Sequence, residues 1–281
     1  MRYRPARKRI TLAALRARGS CVSPPSLFIS HGAPDLVLTD LPARSFMRAL
    51  GQELPRPRAI CVASAHYESP HPRVTNAEAP QTIHDFGGFD PALYTIQYPA
   101  PGAPALAARI VGQLDAAGFQ ASADARWGFD HGTWCPLRLM YPAADIPVVA
   151  VSVSGQRDAR GHFDLGRALA SLRGEGVLVL GSGALTHNLR EAAPPAGNTR
   201  APPGVHAFAD WMGERLAAGD EAALLDYARQ APDAAHQHPS TEHLMPLFVA
   251  LGAAGADWRA ARLHSSVSYR CLRMDAFRFD A

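Results

Sequence analysis

Four runs of consecutive apolar residues punctuate the chain: Ser26–Ser30 (SLFIS), Ala59–Ala65 (AICVASA), Ile146–Val153 (IPVVAVSV) and Val177–Gly181 (VLVLG). Each is short, bounded by glycine, proline or polar residues, and apolar at nearly every position. That pattern predicts strands covered on both faces of a sheet. Between and after them, apolar positions recur at helical spacing over Ala103–Ala117, Gly161–Leu172, His206–Ala218 and Glu242–Leu251. Alternation of strand and helix predicts an α/β domain with a mixed, largely parallel central sheet. Arg262–Phe279 alternates loosely and predicts antiparallel strands at a sheet edge, while Gly197–Gly204 (GNTRAPPG) reads as a loop. No internal repeat, low-complexity tract or linker divides the chain.

Composition narrows the class. With 281 residues, 47% hydrophobic and 19% charged, the chain can bury a large core without a disulfide or metal staple. Disorder and coiled coil are excluded on the same figures. The longest apolar runs are strand-sized, short of the roughly 18 residues that a membrane helix requires, so no membrane partner is expected.

The formal charge of +3 conceals an asymmetry, because seven of the 28 basic residues lie in positions 1–20 with no acid among them. The remainder is mildly acidic, which leaves no nucleic-acid footprint in the body. Residues 1–20 are expected to be a basic, disordered extension, and 21–281 a single catalytic domain. Lys8 is the only lysine, so Schiff-base and P-loop lysine chemistry are excluded from the body. Cys21, Cys61, Cys135 and Cys271 are widely spaced, which suggests reduced, buried thiols in a cytoplasmic protein.

The twelve histidines change the picture more. His31 ends the first predicted strand, His66 ends the second, and His187 follows the fourth through a Gly-Ser-Gly turn that brings the backbone close. Ligands of open α/β sheets bind beyond the carboxyl ends of the strands. Imidazoles delivered there by three strands suggest a zinc or iron site. His84 (IHDFGGF) and His131 (WGFDHG) sit in glycine-rich loops beside aspartate and aromatic residues, the composition of a pocket wall with orienting hydrogen bonds. His243 lies near a helix start that Ser240 or Thr241 could cap. His71, His162, His206, His236, His238 and His264 lie in polar loops or helix faces, and are assigned no role. No nucleophile elbow, dinucleotide fingerprint or H-E-x-x-H motif is present.

The stretches SLFISHGAPDLVL, AICVASAHYES, TIHDFGGFDPALYTIQYPAPGAPALA, WGFDHGTWCPLRLMYPAADIPVVAVSV, LVLGSGALTHNLRE and HPSTEHLMPLFVALGA resemble the DODA-type extradiol aromatic ring-opening dioxygenases. That family is related to the β subunit of protocatechuate 4,5-dioxygenase. The resemblance runs from about Ser26 to Gly252 and implies a three-layer α/β/α fold. It implies His31, His66 and His243 as metal ligands and His187 as an acid/base close enough to join a zinc ion. His131 is implied as a second catalytic histidine, and His84, Phe86 and Trp127 as substrate-binding residues. Fe(II) is the cofactor expected for activity, with Zn(II) an alternative bound ion. The implied reactants are a catechol and O2, in a monomer or small homo-oligomer.

Three departures stand out: Tyr67 where Trp is common, Asp90 where Pro often follows GGF, and Cys135 where Gly occurs. The last two are expected to border the pocket. Protocatechuate-type enzymes use a Glu ligand, and Glu242 adjoins His243. On a helix the two would point about 100° apart, so only one could face an ion, and the DODA-like pattern favours His243. Two other functions remain open from sequence: a zinc-dependent hydrolase, and a non-catalytic metal-binding relative.

Overall fold

The computed structural model describes residues 24–193 and 200–281. The predicted basic extension, Cys21 and part of the Gly197–Gly204 loop lie outside the described residues. The described residues contain the strands β1 (Ser26–Ser30), β2 (Ala59–Glu68), β3 (Arg73–Thr75), β4 (Ser122–Asp124), β5 (Val148–Val153), β6 (Val177–Gly183), β7 (Arg259–His264), β8 (Val267–Ser268), β9 (Leu272–Arg273) and β10 (Ala276–Asp280). The helices are α1 (Pro42–Glu53), α2 (Pro104–Ala116), α3 (His131–Met140), α4 (Ala159–Leu169), α5 (Pro203–Ala218), α6 (Glu221–Leu225), α7 (Tyr227–Gln230), α8 (Ala234–Gln237) and α9 (Met245–Ala253).

Eight strands form one sheet in the order β4-β3-β5-β2-β6-β1-β10-β7, and β8 and β9 form a separate hairpin. The centre, β5-β2-β6-β1, is parallel, and the four apolar runs build it. β10 and β7 extend it antiparallel, as the alternating tail predicted.

Alternate residues of the parallel strands enter opposite layers. Leu27, Ile29, Ile60, Val62, Leu178 and Leu180 pack with α1 and α3. Phe28 faces the other way, beside Phe208 of α5 and Phe248 of α9. Cys61, Val149 and Val179 share that side with Ile110 of α2 and Leu165 of α4. The result is the expected three-layer α/β/α arrangement. Cys61, Cys135 and Cys271 are free and buried. Cys135 lies on a buried face of α3, its thiol facing the Pro34 carbonyl at 3.8 Å.

Several boundaries differ from the sequence reading. Gly181-Ser182-Gly183 is the end of β6 rather than a turn. Its glycines let α9 approach, not the ligand: a Cβ on Gly181 would lie 2.0 Å from the Pro246 carbonyl oxygen. On Gly183 it would lie 2.1 Å from that of His243. Gly181→Ala is therefore expected to push α9 off the sheet and destabilise the fold by roughly 1–3 kcal/mol, read as a lower urea midpoint. His131 opens α3 instead of lying in a loop, with Asp130 as its cap. The last helix begins at Met245, without a side-chain cap from Ser240 or Thr241.

Candidate metal centre

Three imidazoles meet where the parallel strands end. His31 directly follows β1, and its N–H binds the Gly183 carbonyl at 2.9 Å. His66 lies inside β2, where pairing with β5 slips between Ser64 and Glu68. Such an irregularity re-aims a side chain, and His66 lies within it, near the carboxyl end of the central strands. His243 lies in the turn before α9, its carbonyl accepting from Ala184 N at 2.8 Å. The Nε2 atoms of His31 and His66 are 3.1 Å apart, and those of His66 and His243 are 3.3 Å apart.

The outer nitrogens decide which atoms face inward. Ser182 Oγ donates to the Gly132 carbonyl, so it accepts from His31 Nδ1 at 3.0 Å. His66 Nδ1 meets Asp85 Oδ2 at 3.3 Å, and His243 Nδ1 meets Glu242 Oε1 at 2.7 Å. Ionised carboxylates only accept, so both of those nitrogens carry hydrogen. All three Nε2 lone pairs then face one another with no proton between them. Burial first, and then the neighbouring imidazoles, hold His31 and His243 well below the ordinary histidine range. Burial and His131 push His66 down to about 3.

Neutral rings turned lone pair to lone pair repel unless a cation lies between them. The spacing suits nitrogens each about 2.1 Å from one ion, so the residues present fit a divalent transition metal. Glu242, read from sequence as a rival donor, stands behind His243 and orients it.

Around this trio lie the other predicted residues. His187 stacks on His243, ring centroids 3.4 Å apart and planes 12° from parallel. Among the described residues neither of its ring nitrogens is tied by a hydrogen bond. Its backbone is tied, by His187 N to the Gln237 carbonyl at 2.9 Å. Its neighbour Thr186 is pinned between Cys271 O and Arg273 N. Burial and His238 lower the His187 pKa to about 4.

His131 lies on the opposite side, 3.9 Å from the His66 ring centroid. Its Nδ1 donates to Asp85 Oδ2 at 3.0 Å, the oxygen that also faces His66. Burial opposes charge on Asp85, but the hydrogen bonds from His131 prevail and hold its carboxyl below the usual range. Phe86 meets His131 edge-on at 5.6 Å. His84 stands behind Phe86 at 5.8 Å, its Nε2 donating to the Ile96 carbonyl at 3.0 Å. Trp127 stacks on Tyr67 at 4.9 Å and donates to Asp130 at 3.2 Å. Asp90 caps a single 3-10 turn over Pro91–Thr95.

Two features escaped the sequence reading. Asp85 and Ser182 orient ligand rings, and only the adjacency of Asp85 to His84 hinted at it. His238, assigned to a polar loop, is 5% exposed and donates to the Leu185 carbonyl at 2.9 Å. His162 is fully buried too, but both of its ring nitrogens are engaged, by Ser154 N and Asp158 O.

Orienting partners of metal-bound histidines typically matter by about 10–100-fold in metal affinity. Asp85→Asn is expected to weaken retention of the ion by that order, measured by competition with a chelator. Unchanged affinity would show that Asp85 does not set the His66 ring.

Residues 29–276 match the family described as the catalytic LigB subunit of aromatic ring-opening dioxygenase. The chain is 40% identical over 258 residues to a Beta vulgaris protein named 4,5-DOPA dioxygenase extradiol, covering 90% of this chain and 96% of that one. It is 43% identical to the Escherichia coli K12 protein of the same name, over 82% and 84% of the two chains. A crystal structure of an uncharacterized protein from Escherichia coli K12 superposes with a TM-score of 0.76 at 34% identity, covering 91% of this chain and 99% of that one.

Proposed function

The chain belongs to the LigB family of aromatic ring-opening dioxygenase catalytic subunits, and from that premise we propose that it cleaves a catechol-type ring outside the diol, with O2 and a bound metal. The observation that carries this reading is the trio of neutral imidazoles aimed at one point, with a fourth histidine stacked on it and an aromatic wall opposite. His31, His66 and His243 hold the ion. Iron(II) is our assignment; zinc shares the affinity for imidazole but has no redox chemistry. The metal supplies a path for electrons between catechol and O2 and makes a bound hydroxyl more acidic.

The remaining work falls to side chains. His187, neutral at neutral pH, takes the proton of a catechol hydroxyl and returns it later to the oxygen that needs it. His131 donates a hydrogen bond from Nδ1 to Asp85, which leaves its Nε2 to meet a hydroxyl of the substrate. Phe86 packs against the substrate ring, with His84 bracing it from behind, and Trp127 holds Asp130 at the start of α3. Two relatives carry DOPA in their names, so a catechol bearing an amino-acid arm heads the substrate panel. No helix among the described residues is long and apolar enough to cross a membrane. Together with three free, buried thiols, this supports a cytoplasmic setting.

The test is oxygen uptake by the ferrous protein with a panel of catechols. One O2 consumed per catechol, with a coloured ring-opened semialdehyde, is the expected result. Hydrolysis of esters or amides without oxygen uptake would replace this reading with a hydrolase.

A further inference from the structure

Away from the histidines, α1, α3 and the residues around Ile96 enclose a cleft of about 340 Å³. That volume is in the range of small-molecule sites. Apolar residues, Val37, Ile96 and Leu139 among them, wall it, and three arginines, Arg44, Arg48 and Arg138, contribute the charged part of the lining. No acidic side chain lines it. Among the described residues no carboxylate pairs with any of the three. Arg44 Nε is buried without a hydrogen-bond partner among the described residues. Arg138 spends one N–H on the Gln97 carbonyl at 3.1 Å. A desolvated donor left unpaired costs free energy that a ligand can recover.

We propose that this cleft is a second binding site, for a small organic carboxylate with an apolar body. Guanidinium forks match carboxylates in geometry and charge. The apolar walls suit a hydrocarbon body rather than a hydrated inorganic anion. The site is distinct from the metal centre: Arg138 is seven residues along α3 from His131, about 10 Å of helix. The two are nonetheless linked, because Ile96 lines the cleft while its carbonyl holds His84, which backs Phe86. An occupant there braces the wall of the active site from outside.

Calorimetric titration of the metal-loaded protein with benzoate, benzamide and sulfate tests the proposal. Benzoate is expected to bind, with neutral benzamide and body-less sulfate each weaker by about tenfold or more. Arg44→Ala should weaken benzoate by a similar factor, and because Arg44 Nε has no partner within the fold, its loss unpairs nothing there. Arg48→Glu, at an exposed position, provides a second variant that leaves the core untouched and, by reversing a charge, should weaken benzoate by more than about tenfold. Benzoate binding that survives both substitutions would place the anion elsewhere and overturn the proposal. Sulfate binding as tightly as benzoate would overturn the assignment of an apolar body.

Discussion

His66→Ala is expected to leave the protein without its metal ion, and His31→Ala and His243→Ala to do the same. Each ring contributes one inward lone pair, held toward the others by Ser182, Asp85 or Glu242 behind it, and two remaining imidazoles bind an ion far more weakly than three. The loss should exceed the roughly 10–100-fold that removal of an orienting partner costs. Elemental analysis after dialysis should find about one ion per chain in the parent and next to none in the variants, with ring opening abolished. Glu242→Gln provides the contrast. The amide oxygen can still accept from His243 Nδ1, so most of the metal should remain. An empty site in Glu242→Gln, with a full one in His243→Ala, would transfer the ligand role to the carboxylate.

The second large effect is expected at His187. Loss of a positioned acid/base typically costs about 10²–10⁴ in rate, and His187→Gln should fall in that range while keeping its metal. The reason lies in the stacking. His187 lies face to face with His243, and among the described residues no hydrogen bond ties its ring nitrogens. Anaerobic catechol binding, followed by oxygen uptake, separates the outcomes. Retained iron and catechol binding with lost turnover supports proton transfer by His187. Loss of the ion would instead make His187 a fourth ligand, and near-normal turnover would leave it with a packing role only.

The parallel core was legible because β1, β2, β5 and β6 are buried on both faces, which writes itself as unbroken apolar runs. α3 was not, because Gly132 and Pro136 read as helix breakers. Nearly every residue of that helix is buried, so no polar face marks its period. His31, His66 and His187 could be picked out from sequence because the chain direction alone places strand ends together. The parts played by Asp85 and Ser182 were hidden, since a hydrogen bond across 46 or 151 positions leaves no local trace. His238 was misplaced for a related reason. Its surroundings in sequence, Gln237 and Pro239, look like a surface loop, and only the tertiary fold encloses them.

Main-chain contact at Gly181 and Gly183 fixes the distance from β6 to the segment bearing His243, whereas the aromatic wall belongs to one long excursion between β3 and α2. The two parts of the site are therefore built on separate backbone. Substitutions at Phe86, or at Phe89 and Tyr94, whose rings pack on it with centroids 5.7 and 5.2 Å away, can reshape which molecules are admitted while leaving the three ligand nitrogens in place. Asp85 is the seam: it belongs to that excursion, yet its carboxylate faces the His66 ring at 3.3 Å, so a redesign of the wall for other substrates has to keep that carboxylate in place.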